Sequence, residues 1–106
     1  MQERFTTMLG FAQRAGKIAS GESAAQAVLR KKKGYLVIVA QDASERTRNN
    51  YIHWCEGEGV PCLVTGAQCE LGRIIGRSPR SVVVVTDERF AQILLDASVG
   101  GQDLEC

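Results

Sequence analysis

The chain has 106 residues, 44% of them apolar and 24% charged, the balance of one soluble domain with a single core. No run reaches the roughly 18–20 apolar residues of a membrane-crossing helix. The opening MQERFTTML lacks the basic-then-apolar pattern of a secretion signal, so a cytoplasmic location and no membrane partner are expected.

The elements follow one another in strict alternation. Phe5, Met8, Leu9 and Ala12 mark one face of a helix over residues 3–15, and Gly16 is a natural stop. Lys17–Ser20 reads as a short strand. Gly21 then turns the chain into a second helix, with Ala24, Ala25, Val28 and Leu29 predicted on its inner face and Glu22, Gln26 and Arg30 on another. The basic run Arg30-Lys31-Lys32-Lys33 closes this helix and Gly34 ends it. Tyr35–Ala40 is a continuous β-branched run, the mark of a central strand covered on both faces. Ser44 is a suitable N-cap for a third helix, roughly 45–57, with Tyr51, Ile52 and Cys55 inward and Gly57 and Gly59 as breakers.

After Pro61, Cys62–Val64 forms a third strand. Glu70–Gly76 is a short helix with Leu71, Ile74 and Ile75 inward, and Arg77–Ser81 is a polar, basic loop. Val82–Val85 is another buried strand, and Asp87 caps a last helix containing Phe90, Ile93 and Leu94. Residues 1–99 thus make one domain and 100–106 a frayed tail. Alternation of this kind gives a three-layer α/β/α sandwich with a mostly parallel sheet. Loops leaving the strand carboxyl ends gather at one edge, which brings Ser20–Ser23 near Gln41–Ser44. Arg77–Ser81 joins them only if the sheet is mixed.

Catalytic residues are not evident. The lone His53 falls mid-helix beside Trp54 and reads as a surface residue. Asp42 and Asp87 follow buried strands, where acids can be catalytic, but both are also good turn and cap residues. No glycine-rich phosphate loop is present. Cys55, Cys62, Cys69 and Cys106 form no CxxC pair, and the first three fall on a helix, a strand and a second helix. Idle thiols are therefore expected rather than a metal site. No cofactor is implied.

The formal net charge is only +1, but residues 1–80 carry 12 Lys/Arg against 7 Asp/Glu while residues 81–106 carry 1 Arg against 5 acids. Such asymmetry suits an anionic partner on one side of the fold. The Arg30–Lys33 run is explained equally well by favourable charge at a helix C-terminus and by phosphate contact, and Lys17, Arg77 and Arg80 could extend the same field. Tyr35 and Trp54 read as packing residues rather than stacking platforms. A glycine at a helix start admits close approach to the backbone, and the free N–H groups there favour an anion or a base edge; the same features also make an ordinary helix cap.

Taken together, RAGK (14–17), SGE (20–22), YLVIVAQDAS (35–44), VPCLVTG (60–66), ELGRIIGR (70–77) and VVVVTDERFA (82–91) resemble the bacterial YlxQ-like proteins. These fall in the kink-turn RNA-binding ribosomal-protein superfamily, and the resemblance spans about residues 4–97. It implies an α/β/α sandwich with a mixed sheet of about four strands and no enzyme activity. It implies RNA binding through the start of the second helix, the loop after the next strand and the Arg77–Ser81 loop. Recognition of a sharply bent RNA by shape and a few base edges follows from it, with cations on the flanking phosphates.

Kink-turn binders of this superfamily carry Gly-x-Asn-Glu-x-x-Lys at the second helix. Here Gly21 keeps the glycine, while Ser23, Ala24 and Ala27 stand at the Asn, Glu and Lys positions. The last loop is polar and basic where family binders are apolar. Three lost polar contacts at roughly 1 kcal/mol each weaken binding about a hundredfold.

The resulting expectation is a monomeric RNA-binding protein, ribosome- or translation-associated, with weakened or altered kink-turn recognition. Its expected RNA contacts are Lys17, Gly21, Glu22, Ser23, Gln26, Lys31, Lys32, Arg77, Arg80 and Ser81, and its expected partner a kink-turn-like or ribosomal RNA, with the ribosome or translation factors beside it. A protein–protein adaptor that keeps the scaffold without RNA is the alternative.

Overall fold

The computed structural model describes residues 2–101, with side chains through Ser98. The elements are α1 (Glu3–Arg14), β1 (Ile18–Ser20), α2 (Glu22–Arg30), β2 (Leu36–Val39), α3 (Glu45–Glu58), β3 (Cys62–Val64), α4 (Gln68–Ile74), β4 (Val82–Val85) and α5 (Glu88–Gly101). Helices α2 and α3 cover one face of a four-stranded sheet, and α1, α4 and α5 lie on the other. This is the α/β/α sandwich read from the sequence.

The sheet order is β1-β4-β2-β3. Only β2 and β3 run parallel, whereas β4 is antiparallel to both β1 and β2. The mostly parallel sheet suggested by alternation is therefore corrected to the mixed sheet that the family resemblance implied. The reason lies in α4, which has only 7 residues. The segment after it doubles back along the helix: the Arg77 N–H donates to the Gly72 carbonyl (2.7 Å) and the Arg80 N–H to the Gln68 carbonyl (3.1 Å). The chain thus returns to the end of the sheet that it left after β3, and β4 enters from there.

The core centres on β2 and β4. All eight of their side chains are buried, and each contributes about 1.5–3 kcal/mol on leaving water. Phe5, Leu9 and Ala12 from α1, Tyr51 and Cys55 from α3, Leu71 and Ile75 from the α4 region, and Ala91, Leu94 and Ala97 from α5 complete it. On α2 the inner face is Ala25 and Leu29 with half-buried Val28, while Ala24 is exposed, one position off the predicted stripe. Tyr35 is 43% exposed, because β2 begins one residue later. Trp54 is half-buried and stacks on Tyr51, with ring centroids 6.2 Å apart.

Local chemistry sets the helix ends. Ser44 Oγ accepts from the Thr47 N–H at 3.1 Å and starts α3. The helix runs through Gly57 and stops at Gly59, which adopts φ +72°; only a left-handed residue ends it, and a glycine in helical conformation does not. Helix α4 begins two residues before the expected Glu70. Glu70 Oε1 accepts from the Ala67 N–H at 3.1 Å, and Asp42 Oδ1 accepts from the Gln68 N–H at 2.9 Å. Asp87 Oδ1 accepts from the N–H groups of Arg89 and Phe90 and caps α5, as expected. Of the tail expected to fray, residues 100–101 belong to α5; residues 102–106 lie outside the described residues.

The end of α2 differs from expectation in a consequential way. The helix stops at Arg30, so Lys31–Lys33 form a turn rather than a last helical turn. The Lys32 N–H donates to the Leu29 carbonyl and the Lys33 N–H to the Val28 carbonyl. This is the Schellman pattern, whose left-handed position favours glycine, yet Lys32 occupies it with φ +59°. Two residues on, Gly34 lies so close to the core that a Cβ would stand 2.9 Å from Val84 Cγ1 and 3.0 Å from Leu29 Cδ2. The glycine is held by packing while the lysine bears the backbone strain. Urea unfolding is expected to show opposite signs at these two nearby positions. Lys32→Gly should stabilise by roughly 0.5–1 kcal/mol, the relief of the left-handed conformation less glycine's chain entropy. Gly34→Ala should destabilise by about 1–3 kcal/mol through overpacking.

Candidate nucleic-acid interface

Three connections meet at the end of the sheet where β1, β2 and β3 finish and β4 starts. The Gly21 N–H donates to the Val82 carbonyl at 3.0 Å, tying the start of α2 to β4. The Ala40 N–H donates to the Ser81 carbonyl at 2.9 Å, and the Gln41 N–H to the Gly66 carbonyl at 2.7 Å. Side chains brace the same junction. Arg48 Nη1 donates to the carbonyls of Gln41 (2.7 Å) and Ala43 (3.0 Å). The mixed sheet thus brings Arg80 and Ser81, the end of the Arg77–Ser81 loop, beside the start of α2 and the loop after β2.

Gly21 is positioned by its backbone. It lies at φ +90° and ψ 158°, a region essentially confined to glycine, and it offers no side-chain cap to α2. The first-turn N–H groups of that helix consequently point outward at the edge. Glu22 stands in that turn, where its charge suits the positive helix end. Ser23, Ala24 and Ala27 are exposed, so the positions that carry Asn, Glu and Lys in kink-turn binders face solvent here with one hydroxyl among them.

Arg80 spans the junction. Its Nε donates to Ser20 Oγ at 3.3 Å, and its Nη1 donates to Ser78 Oγ at 2.7 Å and to the Ser78 carbonyl at 3.1 Å. It passes close to Gly21, where a Cβ would stand 3.8 Å from Arg80 Nε. Arg77 is exposed and Ser81 half-buried. The loop is pressed against α4 at Gly72, where a Cβ would lie 2.3 Å from the Ser78 carbonyl oxygen.

Glu22 and Gln26 turn toward α3. With Asn50, Tyr51, His53 and Trp54 they line an open groove of about 550 Å³. Sequence reasoning missed this groove, because Asn50, His53 and Trp54 become its wall only when α2 and α3 lie side by side. The Tyr51 hydroxyl is buried without a hydrogen-bond partner, and burial pushes its pKa up. The nearby Gln26 amide is instead engaged by Arg30, whose Nη2 donates to Gln26 Oε1 at 3.3 Å.

Lys17, Lys31 and Lys32 are not part of this edge. Helix α2 runs away from Gly21 for 9 residues, roughly 14 Å, so the lysine turn sits at the opposite end of the sheet. Lys17 precedes β1 at that same far end, where its carbonyl accepts from the Thr86 N–H. The expected contact set thus divides into an edge of Gly21, Ser23, Arg80 and Ser81, a Glu22–Gln26 groove wall and a distant lysine cluster, with Arg77 at the start of the returning loop beside Gly72 of α4.

Asp42 and Asp87 are engaged as caps. His53 is exposed on α3 while Cys55 of the same helix is buried. The thiols of Cys55 and Cys62 are neighbours. Their mutual hydrogen bond, with burial, pushes Cys55 up, and the same bond lowers Cys62. Residues counted as lying on separate elements are thus brought together across the α3–β3 contact.

This fold has counterparts. Residues 3–95 match the ribosomal protein L7Ae/L30e/S12e/Gadd45 family. The chain belongs to that family. It is 38% identical to the RNA-binding protein YlxQ of Bacillus subtilis over 88 residues, 83% of this chain and 88% of that protein. It is 34% identical to the RNA-binding protein YlxQ of Enterococcus faecium over 91 residues, 86% of this chain and 87% of that protein. Among solved structures, a Bacillus halodurans protein of unknown function superposes with TM-score 0.86 at 29% identity, covering 90% of this chain and 96% of that one. The Giardia lamblia 15.5kD RNA binding protein shares the fold, with TM-score 0.73 at 22% identity, covering 96% of this chain and 91% of that one. No helix among the described residues is long and apolar enough to cross a membrane.

The two glycines that set the edge give separable outcomes. Gly21→Ala should cost about 1–3 kcal/mol in urea unfolding, from backbone strain. Gly72→Ala should cost a similar amount by overpacking against Ser78. It should also raise amide hydrogen exchange at Arg77 and Arg80, whose N–H groups bond to α4.

Proposed function

We propose that this chain is a cytoplasmic, ribosome- or translation-associated RNA-binding protein that recognises bent RNA in a weakened or altered form of the kink-turn mode. The observation that carries this reading is the meeting of the α2 start, the post-β2 loop and Arg77–Ser81 at one edge, on an L7Ae-family scaffold. Relatives named RNA-binding proteins support RNA as the ligand class.

In this reading Gly21 lets the RNA approach the backbone, and the outward N–H groups of the first α2 turn meet acceptors on a base edge or phosphate. Glu22 accepts from an amino-bearing base, Ser23 supplies one hydrogen bond, and Gln26 lies beside the groove. Arg77 supplies a phosphate contact. Arg80 braces the loop through Ser20 and Ser78 and presents Ser81 in place. The local charge is mixed, since Glu22 and Asp42 lie near the arginines, so shape carries more of the recognition than attraction does.

A gel-shift comparison of a standard kink-turn with a bend-disabled mutant tests this. Tighter binding of the kinked RNA is expected, and the Ser23→Asn/Ala24→Glu/Ala27→Lys variant should tighten it about a hundredfold by restoring three contacts of about 1 kcal/mol each. All three positions are exposed, so the fold tolerates the changes. Absence of binding to either RNA at low salt would leave the adaptor reading in its place, while equal binding of both would remove the kink-turn reading alone.

A further inference from the structure

The cations excluded from the edge gather around the other end of the sheet. Lys31, Lys32 and Lys33 are all exposed on the turn after α2, and Gly34 clamps that turn against Val84 and Leu29. Ile18 and Leu36 both pair with Val85 of the intervening β4. Lys17 and Tyr35, one residue earlier on each strand, therefore stand two strand spacings apart, about 10 Å. Lys17 is exposed, and Tyr35 presents 43% of its surface.

The helix dipole alone does not account for this group. Cations in the last turn of a helix complement its negative end, but Lys32 and Lys33 lie beyond the C-cap. A lysine also holds the left-handed position where glycine is the unstrained choice. Local consistency is given up here in favour of a third consecutive cation, a departure expected at functional positions. Acids at this end offset it only in part. Glu58 pairs with Lys32 at 3.5 Å, the single ion pair among the described residues. Asp87 is engaged by α5, and Glu88 lies in the first turn of that helix.

We propose that this pole is a second RNA-contact surface. It holds the sugar–phosphate backbone of an RNA segment other than the one at the Gly21–Ser81 edge, with the exposed Tyr35 ring as a stacking platform for an unpaired base. Three exposed lysines on a turn held by Gly34, followed directly by an exposed aromatic residue, match the chemistry of single-stranded RNA. The two surfaces lie at opposite ends of the sheet, so the protein can join two RNA segments. The proposal rests on RNA as the ligand of this chain but not on kink-turn recognition.

The test titrates the whole protein with fluorescent oligouridylate over a range of salt, with and without saturating unlabelled kink-turn RNA. The Lys31→Ala/Lys32→Gly/Lys33→Ala variant should lower the slope of log K against log salt by about 2, near 0.7 per phosphate contact on a single strand. Lys32→Gly alone should lower it by about 0.7 while leaving the protein folded. Tyr35→Ala should weaken binding with the slope unchanged. Kink-turn RNA should leave the oligouridylate bound. An unchanged slope in the triple variant, no oligouridylate binding at low salt, or displacement by the kink-turn RNA overturns the proposal. Lysine-dependent oligouridylate binding without any kink-turn binding supports it and removes only the kink-turn reading.

Discussion

The close pass between Gly72 and the backbone of Ser78 is the constraint on which the candidate edge depends. Helix α4 has no side chain at that point, and an added Cβ would lie within 2.3 Å of the Ser78 carbonyl oxygen. The loop therefore folds flat against the helix and returns to the end of the sheet it came from. Strand β4 then enters antiparallel between β1 and β2. Had α4 been followed by a segment leading to the far end, Arg77–Ser81 would have lain opposite Gly21.

A second consequence of the same topology is the separation of charge. Helix α2 starts at the loop edge and ends at the opposite pole, so SGE and RKKK, close in sequence, serve different ends of the molecule. The edge has braced arginines and acids intermixed, and its contacts depend on geometry. The pole has exposed lysines on a turn fixed by Gly34. Shape recognition suits the first and counterion release suits the second.

Much of the architecture was legible because its causes are local. The valine runs of β2 and β4, the apolar stripe of α1 and the caps at Ser44 and Asp87 each act within a few residues of themselves. The structure departs from the sequence reading mainly where a distant partner decides the outcome. Helix α4 starts at Gln68 rather than Glu70 because Asp42, 26 residues away, caps it. Gly57 and Gly59 look alike in sequence, and only the backbone shows that Gly59 alone has the left-handed conformation that ends α3. The groove beside Glu22 was not visible because its walls come from two helices.

The amino-acid sequence by itself determined the element order, the buried central strands and the glycine at the start of α2, since propensity, capping and periodicity act over short stretches. It also carried the motifs that mark the L7Ae family. Strand direction, the meeting of three loops and the division of the cations between two poles were decided only in the tertiary structure. The physical reason is that these depend on where a chain turns back, which is set by a close backbone contact at Gly72 and by hydrogen bonds between segments far apart in sequence.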